Sequence, residues 1–359
     1  MKRALFVVGL SLLAACRAPS PIAKQPPFDF DAAIGPGPDA YGSEADLIER
    51  WADGGTLRTF WESGESGSFA GVRGVNIAYR IHRVANPKAA VVIVPGRTEA
   101  IIKFAELASD LHAQGYSTYA LTLRGQGEAG RMLPDKDKGY VEYFDDYLKD
   151  THAFITTKVK PDNARVFMVA HSLGGAVAVL VNDTYPDDVQ ALALSSPMLD
   201  INLGAFPPPV AATLGEGICG VTDGTGYVLG AGDYERETDF ENNSVTHSLN
   251  RWKWKIQQLD DDPSIRLGGT TWRWLCQSLD ASSRAQLSGK YSSTPTLLFS
   301  ASEDTIVHIK GGATYCNDAP RCTLTVLDGA KHEIFAETDA LRNLTVSRIV
   351  KFFDAEVAP

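Results

Sequence analysis

The sequence predicts an α/β fold built on a mostly parallel β-sheet. Short, nearly continuous apolar runs recur along the chain, and segments of helical periodicity separate most of them. Continuous apolar character indicates strands buried on both faces, and strands that alternate with helices indicate a parallel sheet flanked by helices. Functional residues of such sheets gather at the carboxyl ends of the strands. The runs are "AAVVIVPG", "YSTYALTLRGQG", "RVFMVAHS", "VQALALSSP", "TPTLLFSASED" and "CTLTVLDGAKHE".

Three further segments complete the predicted body, residues 41–359. "GSFAGVRGVNIAYRIHRV" alternates apolar and polar residues around a Gly-bearing turn, which predicts an antiparallel hairpin at a sheet edge. "NLTVSRIVKFFDAEV" predicts a last amphipathic helix. From about residue 198 to 288 buried-strand runs are absent, and we expect this stretch to be a cap inserted over the carboxyl edge of the sheet.

Charge and length limit the classes of function. A chain of 359 residues can bury a large core, in one big α/β domain or two smaller ones. The formal net charge of −10 argues against nucleic acid as the main partner.

The N-terminus predicts export. Lys2 and Arg3 precede an apolar stretch and then small residues, which is the pattern of a secretory signal and too short for a spanning helix. The signal covers residues 1–15, and its ending "LAAC" looks like a bacterial lipobox in which Cys16 is acylated. Residues 16–40, rich in Pro, predict a semi-extended tether. We expect a lipoprotein at the periplasmic face of the bacterial outer membrane, held there by its acyl chains.

Four other cysteines remain, an even number in a chain expected to fold in an oxidising compartment. We favour one disulfide between Cys316 and Cys322, across a helix-to-strand turn, and one between Cys219 and Cys276 within the insertion. Other pairings, and free buried thiols, stay open. No His or Cys spacing resembles a zinc site, and we expect no metal or cofactor.

Ser172 is the candidate nucleophile. It follows the buried run "VFMVAH" and precedes "LGGAVAVL", which supplies the strand, the small residues and the helix that a nucleophile elbow needs. Ala170 stands where the first Gly of G-x-S-x-G is usual. A Ser that merely caps a helix is the alternative.

A serine nucleophile needs a base, and the base needs a carboxylate to orient it. Asp304 follows one buried run and His332 follows the next, in the chain order Ser, Asp, His that α/β-hydrolases use. Glu303 is the alternative acid. We expect Asp328 to end its strand and Glu333 to orient the loop. The remaining histidines are expected to have surface or core polar roles: His82, His112, His152, His171, His247 and His308.

An oxyanion hole requires two backbone donors. We assign them to the amide of Leu173, after the nucleophile, and the amide of Arg97, in "VPGRTEAI". The side chain of Arg97 is expected to be structural or to face the substrate.

Together, "VPGRTEAIIKF", "LRGQGEAGR", "VAHSLGGAVA", "SSPML", "NSVTHSLNRW", "GGTTWRWL" and "GAKHEIF" resemble the bacterial lysophospholipases related to monoacylglycerol lipases, from about residue 68 to 355. The resemblance implies an α/β-hydrolase fold with a cap, and cleavage of acyl esters without cofactor through Ser172, Asp304 and His332. It also implies that Arg124 and Gly125 are packing and turn residues. Pro95 stands where many members have His.

We therefore expect a serine hydrolase of lysophospholipids or monoacylglycerols, anchored to a membrane. A short-chain esterase, an aminopeptidase-like enzyme and a non-catalytic binding lipoprotein are the alternatives. Trp272 and Trp274 are candidates for contact with the lipid tail, since such a tail needs a large apolar wall. The other interpretation is that they form the core of the insertion. The oligomeric state is left open.

Overall fold

The computed structural model describes residues 22–204 and 223–357. Within them, eight strands form one sheet in the order β1-β2-β4-β3-β5-β6-β7-β8. From β4 to β8 neighbouring strands are parallel, whereas β1 pairs with β2, and β2 with β4, antiparallel. The strands are β1 Glu65–Ala70, β2 Asn76–His82, β3 Ala90–Val94, β4 Ser117–Leu121, β5 Val166–His171, β6 Ala191–Ser195, β7 Thr296–Ala301 and β8 Cys322–Leu327.

The predicted α/β fold is thereby confirmed, because each apolar run forms a strand of the parallel part of the sheet. The predicted hairpin is β1 and β2, with β1 at the sheet edge. The helices of the described residues are α1 Leu47–Trp51, α2 Thr56–Ser63, α3 Ala105–Ala113, α4 Asp145–Phe154, α5 Leu173–Thr184, α6 Leu249–Asp261, α7 Trp272–Ser288, α8 Ile309–Asp318 and α9 Asp339–Val357.

Two apolar clusters cover the two faces of the sheet. In β5, Met168 belongs to the cluster shared with α4, α5 and α8, whereas Phe167 and Val169 belong to the cluster shared with α3 and α9. Successive side chains of a strand point to opposite faces, so a strand covered on both sides is apolar at every position. This is why the runs are continuous and do not alternate.

The described part of the insertion does not lie wholly over the carboxyl edge of the sheet, where we expected a cap. Its two described helices extend the layers that flank the sheet: Trp254 of α6 joins one apolar cluster, and Trp274, Ala281 and Ala285 of α7 join the other. The described segments over the carboxyl edge are the connections around these helices. One of them pairs Thr270 with Gly139 of the body. An amphipathic helix needs an apolar surface to cover its stripe, and the body supplies one.

The chain before Tyr41 contacts the body where the structure describes it. The amide of Gln25 donates to the carbonyl of Pro320 at 2.8 Å, and the amide of Phe28 donates to Oγ1 of Thr323 at 2.8 Å. The ring of Phe28 also meets that of Phe352 edge-on at 5.5 Å. The end of the predicted tether therefore lies along β8 and α9. In the described ranges, no helix has both the length and the apolar character to cross a membrane.

The structure joins Cys316 and Cys322 in a disulfide, as predicted, with 5.0 Å between their Cα atoms. The bridge links the end of α8 to the start of β8. Cys276 is also disulfide-bonded. Cys219, its predicted partner, and Cys16, the predicted acylation site, lie outside the described residues.

Candidate active site

Ser172 lies in a tight turn between β5 and α5. Its backbone has φ 50° and ψ −116°, a combination that a residue with a side chain rarely adopts and that costs about 1–3 kcal/mol. The surrounding sheet maintains it: the Ser172 amide donates to the Ser195 carbonyl at 3.0 Å, and the Ser172 carbonyl accepts from the Met198 amide at 2.8 Å. The turn holds the hydroxyl at the carboxyl edge of the sheet.

The two glycines after Leu173 allow α5 to start against other backbone segments. A Cβ on Gly174 would lie 2.4 Å from the Val94 carbonyl oxygen, and one on Gly175 would lie 2.5 Å from Cβ of Pro197. Neither distance is sterically possible, so a larger residue at either position would move the nucleophile turn. This explains why two glycines follow Leu173 in "SLGG".

The structure brings Ser172, His332 and Asp304 together. Oγ of Ser172 lies 2.9 Å from Nε2 of His332, and Nδ1 of His332 lies 2.7 Å from Oδ2 of Asp304. Asp304 follows β7 and His332 follows the adjacent parallel strand β8, so both emerge at the edge where Ser172 lies. The hydroxyl can donate to Nε2 while the Nδ1–H donates to the carboxylate.

Asp304 is held as a carboxylate. Burial by itself raises the pKa of its carboxyl, but the hydrogen bond from His332 and those from the amides of Val307 and Ile306 outweigh it and lower the pKa below its ordinary value. The two amides donate to Oδ1 at 3.0 and 2.8 Å, which leaves Oδ2 for the imidazole. An ionised acid in this position selects the His332 tautomer with a free lone pair on Nε2.

The alternative acids have other partners. Glu303 is exposed, and its carboxylate lies 3.2 Å from Nε2 of His247. Asp328 is exposed at the end of β8. Glu333 is partly buried and lies 2.7 Å from Nζ of Lys103. None of the three contacts His332 through an ion pair among the described residues.

His171, beside the nucleophile, does not bond to the Ser172 hydroxyl, and its ring lies 4.8 Å from that of His332. Its Nδ1 donates to the Ser195 carbonyl at 3.1 Å, and burial lowers the pKa of its ring to about 4. The other histidines lie at a distance from Ser172 in the structure: His82 stacks on Phe60, and His152 lies 2.6 Å from Asp188. His332 is the histidine that contacts the Ser172 hydroxyl in the described part of the chain.

The loop after β3 presents the amide of Arg97 near the nucleophile. A Cβ on Gly96 would lie 3.1 Å from Cβ of Ser172, so the loop passes against the elbow. In the described structure neither the Arg97 amide nor the Leu173 amide donates to a protein oxygen. Both are available to a ligand.

Two buried side chains that the sequence did not assign hold this loop. Nε2 of Gln126 donates to the Gly96 carbonyl at 2.6 Å and to the Glu99 carbonyl at 3.1 Å. The carboxylate of Glu99 accepts from the Gly96 amide. The Gly96 carbonyl and the Arg97 N–H belong to one planar peptide unit, so a bond to that carbonyl fixes the direction of the N–H. Gln126 therefore aims the candidate oxyanion donor, and Glu99 holds the peptide unit before it.

Gln126 lies in the motif "RGQGEAGR". The sequence alone indicates roles for Arg124 and Gly125 of this motif but not for Gln126. Arg124 is indeed a packing residue, since its buried guanidinium donates to Asp150 at 2.7 Å. Gly125 has φ 81°, as a turn glycine does. Gln126, which follows them, reaches the loop after β3 that carries Arg97.

Known proteins match this chain over most of its length. Residues 85–339 match the family described as "Serine aminopeptidase, S33". Lysophospholipase L2 of Escherichia coli strain K12 is 33% identical over 315 residues, covering 85% of this chain and 92% of that protein. The probable lysophospholipase L2 of Haemophilus influenzae is 30% identical over 307 residues, covering 84% and 95%. The chain therefore belongs to the α/β-hydrolase family described as "Serine aminopeptidase, S33".

Solved structures agree on the fold. A soluble variant of monoglyceride lipase from Saccharomyces cerevisiae superposes with a TM-score of 0.66 at 19% identity, covering 82% of this chain and 96% of that one. The family resemblance inferred from the motifs is thereby confirmed, and with it the fold of an α/β-hydrolase.

Two cavities of this α/β-hydrolase meet at Ser172. The first has a volume of about 780 Å³ and a charged lining. The second, of about 500 Å³, is mainly apolar. Ser172 and Arg97 line both. The apolar lining comprises Met198, Ile201, Leu203, Val228, Leu229, Trp272, Trp274, Leu275, Ile306 and Val307.

Trp272 and Trp274 lie at the start of α7, where both face the apolar cavity. Trp274 also belongs to the core of the body, and its Nε1 lies 3.3 Å from the Tyr147 hydroxyl. The two interpretations of Trp274 are therefore not exclusive, because one face of the indole packs on the body and another borders the cavity.

Beneath the charged cavity, Lys103 bridges Glu99 and Glu333 at 2.5 and 2.7 Å. Burial disfavours the Lys103 cation, but the two carboxylates outweigh burial and raise its pKa. Among the described residues, the carboxylates of Asp135, Asp137 and Asp233 could approach a metal ion together. Asp233 also lines the charged cavity, and we assign no metal site to this cluster.

Proposed function

We propose that the protein hydrolyses acyl esters of lysophospholipids or monoacylglycerols through an acyl-enzyme on Ser172. The observation that carries this proposal is the pair of contacts at 2.9 and 2.7 Å from Ser172 through His332 to Asp304, at the meeting point of an apolar and a charged cavity. The names of the relatives, lysophospholipase L2 and monoglyceride lipase, support the substrate class.

The chemistry follows from the contacts. Oγ of Ser172 attacks the ester carbonyl carbon while its proton passes to Nε2 of His332, and Asp304 stabilises the imidazolium that forms. The amides of Arg97 and Leu173 stabilise the negative charge on the carbonyl oxygen. As the tetrahedral intermediate collapses, the C–O bond to the alcohol breaks, and the alcohol leaves with the proton from His332. Water then attacks the acyl-enzyme by the same route and releases the fatty acid.

The two cavities fit the two halves of such a substrate. An acyl chain is an apolar tail whose burial is favourable by about 0.8 kcal/mol per CH₂ group, so it belongs in the cavity lined by Trp272 and Trp274. The polar leaving group belongs in the charged cavity. The ester between them then lies at Ser172, which both cavities share.

A fluorophosphonate probe tests the nucleophile, and a substrate panel tests the reaction. We expect the probe to label the wild-type protein and not Ser172→Ala, with a loss of turnover of at least ~10³-fold in that variant. The panel contains lysophosphatidylcholine, a monoacylglycerol, a short-chain ester and an aminoacyl amide. Turnover of the aminoacyl amide alone would replace the lipid hydrolase with an aminopeptidase, and wild-type rates in Ser172→Ala would reject the nucleophile.

We further propose that the protein is an exported lipoprotein acylated on Cys16 and retained at the periplasmic face of the outer membrane. The leader pattern of residues 1–16 supports this location. A lipid substrate would diffuse to an enzyme that is held at its own membrane. Labelling with a radioactive fatty acid should mark the wild-type protein and not Cys16→Ser, and fractionation should move the variant away from the membranes. Equal labelling of both would contradict the proposal.

A further inference from the structure

The guanidinium of Arg97 lies where the two cavities meet. Its main-chain amide belongs to the candidate oxyanion loop, and the residue lines both cavities. Its guanidinium contacts Gly268, which lines the charged cavity, and Trp274, which lines the apolar one. The guanidinium lies 5.3 Å from the centre of the Trp274 ring, and a Cβ on Gly139 would lie 2.8 Å from its Nη2. The side chain is therefore held between the cap and the body, next to the reacting centre.

This cation has few protein partners for its donors. Nη2 donates to the Gly268 carbonyl at 2.7 Å, whereas Nε is buried without an acceptor. Among the described residues, no carboxylate forms an ion pair with Arg97. A guanidinium carries five N–H donors, and one of them has an acceptor here.

The other cations that line the cavities in the described part of the chain are paired. Lys103 lies between two carboxylates, at 2.5 and 2.7 Å. Lys255 lies 3.1 Å from the carboxylate of Glu237. Enclosed charges are normally paired, because removal from water costs several kcal/mol per ion. Burial lowers the pKa of Arg97 to about 10, which still leaves it charged at pH 7. Arg97 thus lacks the anion that its neighbours have.

We propose that the Arg97 side chain binds the phosphodiester of a lysophospholipid substrate and makes the enzyme favour lysophospholipids over monoacylglycerols. The proposal rests on the proposed function. In a lysophospholipid the three carbons of glycerol separate the ester from the phosphate. The Arg97 amide holds the ester oxygen, and the side chain of the same residue extends towards the leaving group. A planar fork of donors suits two phosphate oxygens.

The rest of the charged cavity is compatible with a zwitterionic head group. Asp233, Glu235 and Glu237 line it on the side of the cap. A choline or ethanolamine cation beyond the phosphate would face Asp233 and Glu235, whereas Glu237 is already paired with Lys255. Lysophosphatidylcholine is therefore the appropriate probe.

The test is the ratio of kcat/KM for 1-palmitoyl-lysophosphatidylcholine to kcat/KM for 1-monopalmitoylglycerol, measured in the same neutral mixed micelles. The acyl chain, the ester and the released fatty acid are identical, so a displaced oxyanion loop or lost binding of the fatty acid lowers both constants alike. We expect Arg97→Gln to lower the ratio by about 10- to 100-fold, the usual effect of losing a charge-assisted hydrogen bond. Arg97→Lys, which keeps the charge without the fork, should lower it by less.

Arg131→Gln is the matched control. Arg131 also joins the body to the cap through carbonyl oxygens, those of Ser264 and Arg266 at 2.8 and 2.9 Å, but lines neither cavity. Its ratio should equal that of the wild type. Inhibition by glycerophosphocholine is a second readout, and Arg97→Lys should weaken it.

The outcomes separate the two proposals. A wild-type enzyme that hydrolyses neither lipid contradicts the proposed function. A wild-type enzyme that hydrolyses both, with an unchanged ratio in Arg97→Gln, leaves that function intact and overturns the role of Arg97. If Arg97→Gln does not fold, an unchanged ratio and unchanged inhibition in Arg97→Lys overturn it as well.

Discussion

Replacing Gln126 with Met should impair the candidate oxyanion loop while leaving Ser172, His332 and Asp304 in place. Gln126 is buried, and its Nε2 donates to the carbonyls of Gly96 and Glu99 at 2.6 and 3.1 Å. Met has nearly the same length and no donor, so the variant removes the hydrogen bonds with little change in packing. The Gly96–Arg97 peptide then loses the contact that sets its orientation.

The structure gives the size of both effects. Two buried carbonyl oxygens lose a donor, and an unsatisfied buried group costs about 1–3 kcal/mol, so we expect the free energy of unfolding to fall by about 2–6 kcal/mol. Loss of one oxyanion donor lowers kcat by about 10²–10³-fold. Glu99 still holds the preceding Pro95–Gly96 peptide, which limits how far the Gly96–Arg97 peptide can turn. We therefore expect kcat to fall by about 10- to 100-fold, less than for the loss of a donor.

The assay is hydrolysis of a short p-nitrophenyl ester, with urea unfolding measured on the same preparations. Asn182→Leu is the control, because Asn182 is buried in α5 and bonded to Ser292 and Thr294, remote from the nucleophile turn. It should lose comparable stability and keep kcat. If Gln126→Met keeps kcat within twofold of the wild type while its stability falls, Gln126 only packs, and the reasoning about the peptide plane is refuted.

Two further predictions concern stability. The Glu106 carboxylate lies among Arg50, Arg251 and Arg342, which outweigh the effect of burial and lower its pKa from 4.5 to about 2. A depressed carboxyl pKa stabilises the fold above the unfolded pKa and loses that effect as pH falls towards the folded one. Glu106→Gln should therefore cost about 3 kcal/mol in urea unfolding at pH 7 and clearly less at pH 3, and equal costs would contradict the ion pairs. Ser172→Gly should unfold about 1 kcal/mol less readily than Ser172→Ala in the same assay, because both lack Oγ and Gly accepts φ 50° more easily; a less stable Gly variant would show that the turn is unstrained.

The sequence predicted the sheet and the three residues that the structure brings together because local patterns encode both. A strand buried on two faces is apolar at every position, as β3 is, whereas the edge strand β8 carries two Thr and an exposed Val326. An elbow needs small residues next to a strand end, so "AHSLGG" marks Ser172. Parallel neighbours bring their carboxyl ends to one edge, which placed Asp304 and His332 near the nucleophile before any contact was known.

The course of the insertion was harder to predict. The absence of strand runs between residues 198 and 288 indicated a break in the alternation, and the described residues between β6 and β7 form no strand of the sheet. It did not indicate that α6 and α7 would extend the helix layers. Helical periodicity shows that one face is apolar and does not show which surface covers it. That surface is made by residues far away in sequence, as in the contact between Trp254 and Trp51 at 5.1 Å.

What the sequence determined by itself is the class of chemistry, since a strand-end Ser, Asp and His in this order require only local signals and a parallel sheet. What the tertiary structure decided is the orientation of the groups around these three residues. Gln126 reaches Gly96 across 30 residues, and Arg97 reaches the Gly268 carbonyl across 171. These contacts depend on the folded path of the chain, so the orientation of the Arg97 amide and the unpaired charge beside Ser172 appear only in three dimensions.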